Sequence, residues 1–285
     1  YQGNGETRSM LVTLKDILAK AEEGKYAVGL FNMLNLEMAR GIIEAAEEEK
    51  SPVILGVAEV HLPIIPFTFA KDIMTKLARE ANVPVCLHFD HGTDFEKICA
   101  AMKAGFSSVM YDGSALDYEV NAANTKKITE IAHALGISVE AELGHVGDGS
   151  CETDFNCSDM YTNPDDAVRF IAETNVDALA VAIGTAHGKY IKKPKLDLDR
   201  LSKLYAALDR PLVLHGGSGL TEQDFKNIVR GGIRKINICT ELCVAAQKAY
   251  QASEDCYTQF ADAKDAVKAS AAKMMRIFES SGKAE

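Results

Sequence analysis

Eight short apolar runs, each followed by a helix-like stretch, constrain the fold of this chain more than any other feature. The runs are Tyr26–Asn32, Pro52–Val57, Val83–Phe89, Ser107–Tyr111, Ile137–Glu142, Ala178–Ile183, Pro211–His215 and Lys235–Ile238. They are apolar nearly throughout, whereas a strand with one wet face alternates. Strands buried on both faces belong to parallel sheets, whose crossovers are helical. The intervening stretches supply those crossovers: Leu36–Lys50, Phe67–Glu80, Asp94–Ala104, Asp117–Leu135, Pro164–Glu173, Leu198–Ala207, Thr221–Arg230 and Glu241–Ser253, with a last helix over Ala261–Ser281. Eight such units within 285 residues predict an α/β chain forming a single (β/α)8 barrel with an extra C-terminal helix. A doubly wound open sheet is the runner-up. Its dinucleotide-binding form is disfavoured, because Phe31-Asn32-Met33-Leu34-Asn35 after the first strand contains no glycine.

A formal net charge of −10 argues against nucleic acid or an anionic membrane as partner. It leaves room for a phosphorylated small molecule, which backbone amides and a metal bind locally. No apolar run approaches the roughly 18 residues of a membrane span. The 7 cysteines are odd in number and scattered, and no secretory signal precedes them, so reduced thiols and a cytoplasmic location are expected. Neither Cys151/Cys157 nor Cys239/Cys243 has the two-residue spacing usual for a zinc pair. Residues 1–9 read as a cloning remnant ahead of a natural start at Met10, which leaves 10–285 as one domain.

Chemistry gathers at the C-terminal ends of the runs, where barrel enzymes carry their sites. The first run gives Asn32 and Asn35, the third Asp90 and His91, the fourth Asp112, and the fifth Glu140 and Glu142. The sixth leads to His187, the seventh ends at His215, and the eighth offers Asn237 and Thr240. In a barrel these points share one mouth. Three histidines from three strands suit a catalytic zinc with an open position. His61, His88, His133 and His145 are expected to serve local hydrogen bonds, with His88 supporting Asp90 from the same strand face. His215-Gly216-Gly217-Ser218-Gly219 and Asn237-Ile238-Cys239-Thr240 each run into a helix start, an arrangement suited to phosphate. Long connections at 143–163 and 184–197 extend the same face.

Taken together, these segments resemble the class II, zinc-dependent ketose-bisphosphate aldolases of the fructose-/tagatose-bisphosphate group. The resemblance covers nearly all of residues 11–245. It rests on Ala27–Asn32 with Asn35-Leu36-Glu37, Ser51–Gly56, His88-Phe89-Asp90-His91-Gly92, Val139–Gly144, Ala180–Gly188, Leu212–Gly219 and Lys235-Ile236-Asn237. It implies zinc on His91, His187 and His215, a second or alternative metal position at Asp112 and Glu142, and Asp90 as the general acid/base. It implies that dihydroxyacetone phosphate is bound through Asn32, Gly188, the Gly216, Gly217 and Ser218 turn, and Asn237, Ile238, Cys239 and Thr240. A Na+ or K+ ion at the phosphate and a homodimer or homotetramer are implied likewise. The family's second base is an acid on the loop after strand five, where Glu152 is the best candidate.

Three departures bear on the aldehyde half alone. Ala58 stands where bisphosphate aldolases tend to carry serine, the loop after strand five breaks up the usual acids, and the Asp-Pro-Arg segment near the C-terminus is missing. The expected activity is therefore zinc-dependent retro-aldol cleavage of a ketose phosphate to dihydroxyacetone phosphate and an aldehyde other than glyceraldehyde 3-phosphate. The alternatives are a true fructose- or tagatose-1,6-bisphosphate aldolase, a zinc hydrolase on the same barrel, and a non-catalytic sugar-phosphate-binding barrel.

Overall fold

In the computed structural model, which describes residues 10–147 and 160–284, the apolar runs pair in chain order and close on themselves. The strands are β1 Val28–Asn32, β2 Val53–Ala58, β3 Val85–Gly92, β4 Ser108–Tyr111, β5 Ser138–Leu143, β6 Ala178–Val181, β7 Leu212–Leu214 and β8 Ile233–Ile238. Every pairing is parallel, and β8 meets β1 with Leu30 opposite Asn237. The helices are α1 Leu14–Gly24, α2 Leu36–Glu49, α3 Phe67–Glu80, α4 Phe95–Lys103, α5 Tyr118–Ala134, α6 Pro164–Thr174, α7 Leu198–Ala207, α8 Glu222–Arg230, α9 Thr240–Ala252 and α10 Gln259–Ile277. Thus α2 to α9 follow the eight strands in turn, as the alternation predicts. Local chemistry starts several of them: Asn35 caps α2, Asn163 caps α6 with Pro164 behind it, and Thr221 with Asp224 forms a capping box on α8.

Two packed layers follow from strand periodicity. Outward residues such as Phe31, Leu55, Phe89, Val109, Val139 and Leu179 meet the helices in the main core. Inward residues form a second core low in the barrel, from Val28, Leu30, Ile54, Cys86, Ala178, Ala180 and Val213. Helix α1 closes that end with Leu14, Ile17, Leu18 and Ala21, a helix the alternation did not predict. Nearer the C-terminal ends of the strands the inward residues turn polar: Asn32, His88, Asp90, Glu140, Glu142, Lys235 and Asn237 are all buried, as is His215 just past β7. One barrel interior is therefore apolar at its floor and polar at its mouth.

Several element ends differ from expectation. β3 continues past Phe89 to Gly92, with a register shift against β4 between Phe89 and Gly92. β8 begins at Ile233 because Arg234, although charged, is buried with its guanidinium on Glu22, Val229 O and Ile233 O. The last helix spans Gln259–Ile277, and its Val267, Ala271, Met274 and Ile277 are buried within this same chain. Among the described residues no helix is long and apolar enough to cross a membrane. Glu152, Cys151 and Cys157, and the leader 1–9, lie outside the described residues.

Candidate active site at the barrel mouth

The strand ends converge on a cavity of about 600 Å³. Its wall includes Asn32, Asp90, His91, Asp112, His187, Gly188, Gly216, Ser218, Asn237, Cys239 and Thr240, residues that the sequence marks from six strands. Neighbours along a strand point to opposite faces, so Asp90 and His91 cannot both face inward on regular backbone. Here His91 takes a left-handed φ of 49° just where the β3–β4 register shifts. That bulge turns both side chains to the site, and backbone strain of this kind marks functional positions.

The three histidines meet at ring-centroid separations of 4.5 to 5.8 Å. Each has one nitrogen engaged by the protein and the other turned to the common centre. His91 Nδ1 donates to Asp112 at 2.8 Å, and His187 Nδ1 donates to the Val146 carbonyl at 3.1 Å. His215 Nε2 lies 2.8 Å from Glu140. At the centre, His215 Nδ1 and His91 Nε2 are 2.7 Å apart, and His187 Nε2 is buried without a hydrogen-bond partner. An orphaned imidazole nitrogen facing two others is a costly arrangement that a metal ion would satisfy. The donor set, three imidazoles oriented by a carboxylate, a carbonyl and a carboxylate, is that of a catalytic zinc. His91, Asp112 and Glu142 form a second group with ligand atoms within 4.8 Å of one another.

Asp90 is fully buried and held from two sides. Asn32 Nδ2 donates to Oδ2 at 2.8 Å, and Asn237 Nδ2 donates to Oδ1 at 3.1 Å. Burial opposes its ionisation, but His91, Lys235 and His215 outweigh burial and hold the carboxyl well below the usual range. Burial likewise pushes Glu142 up to about 8, with the Asp112 charge adding to it. Burial opposes charge on His91 too, yet Asp90 and the Asp112 hydrogen bond raise it to about 9. Burial, followed by the nearby His91 and His215, brings His187 down to about 3, which favours its neutral form.

On the opposite wall, Gly216 takes φ 68° and passes so close to the β6 loop that a Cβ would stand 2.3 Å from Ala186 O. Tyr190 secures this turn, its hydroxyl donating to Gly216 O at 2.7 Å and accepting from Ala186 N at 3.0 Å. Ser218 Oγ accepts from Cys239 N and Glu241 N, which ties the turn to the start of α9. Cys239 is the N-cap of that helix and makes no side-chain capping hydrogen bond, and with Thr240 it lines the cavity at the favourable end of the helix dipole. Ile238 and Gly217 stand behind this wall, with Ile238 in the outer core.

Sequence reasoning left several wall residues unassigned. His61, from a short 3-10 turn at Glu59–His61, and His145, paired with the Ser114 hydroxyl at 3.1 Å, both line the cavity instead of serving only local contacts. His88 is local as expected, with Nδ1 2.8 Å from Ser108 Oγ and Nε2 3.8 Å from Asp90. His133 pairs with Asp177. Glu59, where the second strand departs from the pattern, is consumed as a clamp: it accepts from Thr93 N, Asp94 N and Lys97 Nζ at 2.8, 3.1 and 2.7 Å. Lys235, fully buried inside the barrel, carried no signal beyond its place in a motif.

Known proteins share this architecture. The family described as "Fructose-bisphosphate aldolase class-II" matches residues 12–283. An Escherichia coli K12 protein, YdjI, is 42% identical over 264 residues, covering 91% of this chain and 94% of its own. The fructose-bisphosphate aldolase of Geobacillus stearothermophilus is 41% identical over 284 residues, covering 96% and 99%. The crystal structure of the E. coli YdjI aldolase superposes with a TM-score of 0.88 at 39% identity, covering 96% of this chain and all of that one. A match that runs the length of the chain, with the same barrel beneath it, makes this protein an aldolase of the class II fructose-bisphosphate aldolase family.

Proposed function

We propose that the protein is a zinc-dependent aldolase that cleaves ketose 1-phosphates to dihydroxyacetone phosphate and an aldehyde bearing no phosphate. One observation carries the second half of that reading: among the described residues, no Lys or Arg lines the cavity. The undescribed stretch 148–159 contains neither residue in its sequence. A bisphosphate needs cationic or amide donors at both ends. Here Ser218 and the start of α9 supply one such end, and the wall around Ala58, Val60 and His61 supplies no cation beyond the neutral-leaning His61, whose burial lowers its pKa.

His91, His187 and His215 would hold the zinc. When bound, zinc supplies Lewis-acid polarisation of the ketose carbonyl, which lowers the cost of the negative charge left by C3–C4 cleavage. The protein's own groups do the rest. Asp90, a carboxylate at neutral pH, takes the C4 hydroxyl proton in cleavage and returns it in condensation. Asn32 and Asn237 hold that carboxylate in place. Gly188, the Gly216–Ser218 turn and Thr240 receive the phosphate, with a monovalent cation beside it. Proton exchange at the dihydroxyacetone phosphate carbon falls to Glu152. Asp112 and Glu142 offer a second metal position. Assembly as a dimer or tetramer belongs to the same proposal and is read by light scattering.

Turnover of fructose 1,6-bisphosphate, tagatose 1,6-bisphosphate and a panel of ketose 1-phosphates tests the substrate class. The expected result is higher kcat/KM for one or more monophosphates, lost on chelation and restored by zinc. Efficient cleavage of a bisphosphate with little turnover of monophosphates would instead establish the activity named for the Geobacillus relative.

A further inference from the structure

Beneath the three histidines lies a cation that the chemistry above does not use. Lys235 Nζ is 2.9 and 2.8 Å from the two oxygens of Glu140 and 2.7 Å from Asn237 Oδ1. Lys235 and Glu140 have no solvent exposure, and Asn237 is almost as deeply buried. An ammonium only donates and a carboxylate only accepts, so each contact has a forced direction.

Those directions propagate to two working groups. Facing a carboxylate, His215 Nε2 must carry the proton it donates to Glu140 Oε1 at 2.8 Å, which leaves the Nδ1 lone pair for the centre shared with His91 and His187. The other tautomer would set a lone pair against a carboxylate and aim an N–H at the metal position. Facing the ammonium, Asn237 must present Oδ1, which turns its Nδ2 to Asp90 at 3.1 Å. A flipped amide would oppose NH2 to the ammonium and oxygen to the Asp90 carboxylate.

We propose that Lys235 is a positioning residue, a buried cation that fixes the amide orientation of Asn237 directly and the tautomer of His215 through Glu140, whose charge it balances. It thereby readies a metal ligand and the orienting donor of Asp90 before either metal or substrate arrives. The consequence for metal affinity rests on the zinc reading above; the tautomer itself does not.

Nitrogen-15 NMR of metal-free protein labelled on histidine, with His215 assigned by its loss in His215→Gln, reads the tautomer directly. The expected spectrum has His215 protonated on Nε2 alone, and protonation on Nδ1 would overturn the proposal without any variant at Lys235. A second arm removes both charges together in Lys235→Met/Glu140→Gln, so that no unpaired charge is left buried. That pair is expected to show mixed His215 tautomers and Co2+ binding weakened on the order of tenfold to a hundredfold, the usual cost of losing such an orienting partner. A double variant with the wild-type tautomer and wild-type Co2+ affinity would reduce Lys235 to charge balance and sink the idea. Neither readout uses aldolase turnover, so an error in the substrate assignment leaves this result standing.

Discussion

Asp90 has a narrow task for which its surroundings are specialised. Two amides hold its oxygens, the protein buries it at the cavity wall, and neighbouring positive groups keep it ionised. Replacement by asparagine keeps the shape and removes the proton-accepting charge. Asp90→Asn is therefore expected to lower kcat by about 10²–10⁴-fold, the usual range for loss of a general acid/base. Zinc content should stay unchanged, because the three histidines are not otherwise altered; metal analysis beside the assay checks both halves. Retained turnover would move the proton transfer to another group. Asp90, His91, His187 and His215 could be read from sequence because ionisable residues ending apolar runs have few places to go except a shared site. Lys235 could not. It opens the predicted run Lys235–Ile238 directly after Arg234, and only the barrel register sends one of these two cations inward to Glu140 and the other outward to Glu22.

Among the elements, the connection after β2 shows how a half-buried acid becomes structural. Glu59 binds two backbone amides at the end of β3 and the start of α4, together with Lys97, and so fastens the turn that carries His61 to the strand that carries His91. Burial works against its ionisation, yet Lys97 and the two amides prevail and lower its pKa below the ordinary 4.5. A carboxyl that ionises more easily when folded contributes stability above its unfolded value and loses it as pH falls through the folded one. The melting temperature of Glu59→Gln should accordingly fall below wild type at pH 7, with the gap narrowing on acidification past about 4.5. A gap that is constant with pH would assign the clamp to packing. Sequence periodicity located α2 to α9 well but missed α1, since a helix ahead of the first strand belongs to no strand–helix unit. It also ended β3 too early, because the bulge that carries His91 and Gly92 into the sheet is a local departure from strand geometry.

For the whole molecule, the division of the interior matters most. The floor is apolar and closed, while the mouth concentrates buried carboxylates, imidazoles and an ammonium. A group of this kind is stabilised by a bound cation far more than a hydrophobic core is, and binding to the folded state alone raises its stability. Zinc at 100 times its dissociation constant would add about 2.7 kcal/mol. Chelation should therefore lower the melting temperature together with activity, and added zinc should restore both, as followed by calorimetry. A melting temperature indifferent to chelator would show that the histidines are satisfied without metal. The closed floor has one more consequence. With Leu14, Ile17 and Leu18 plugging the strand starts, the barrel is a cup and not a tube. Among the described residues, reactant and both fragments therefore share the open rim of the cup, so a tight-binding ligand seated across it controls every arrival and every departure.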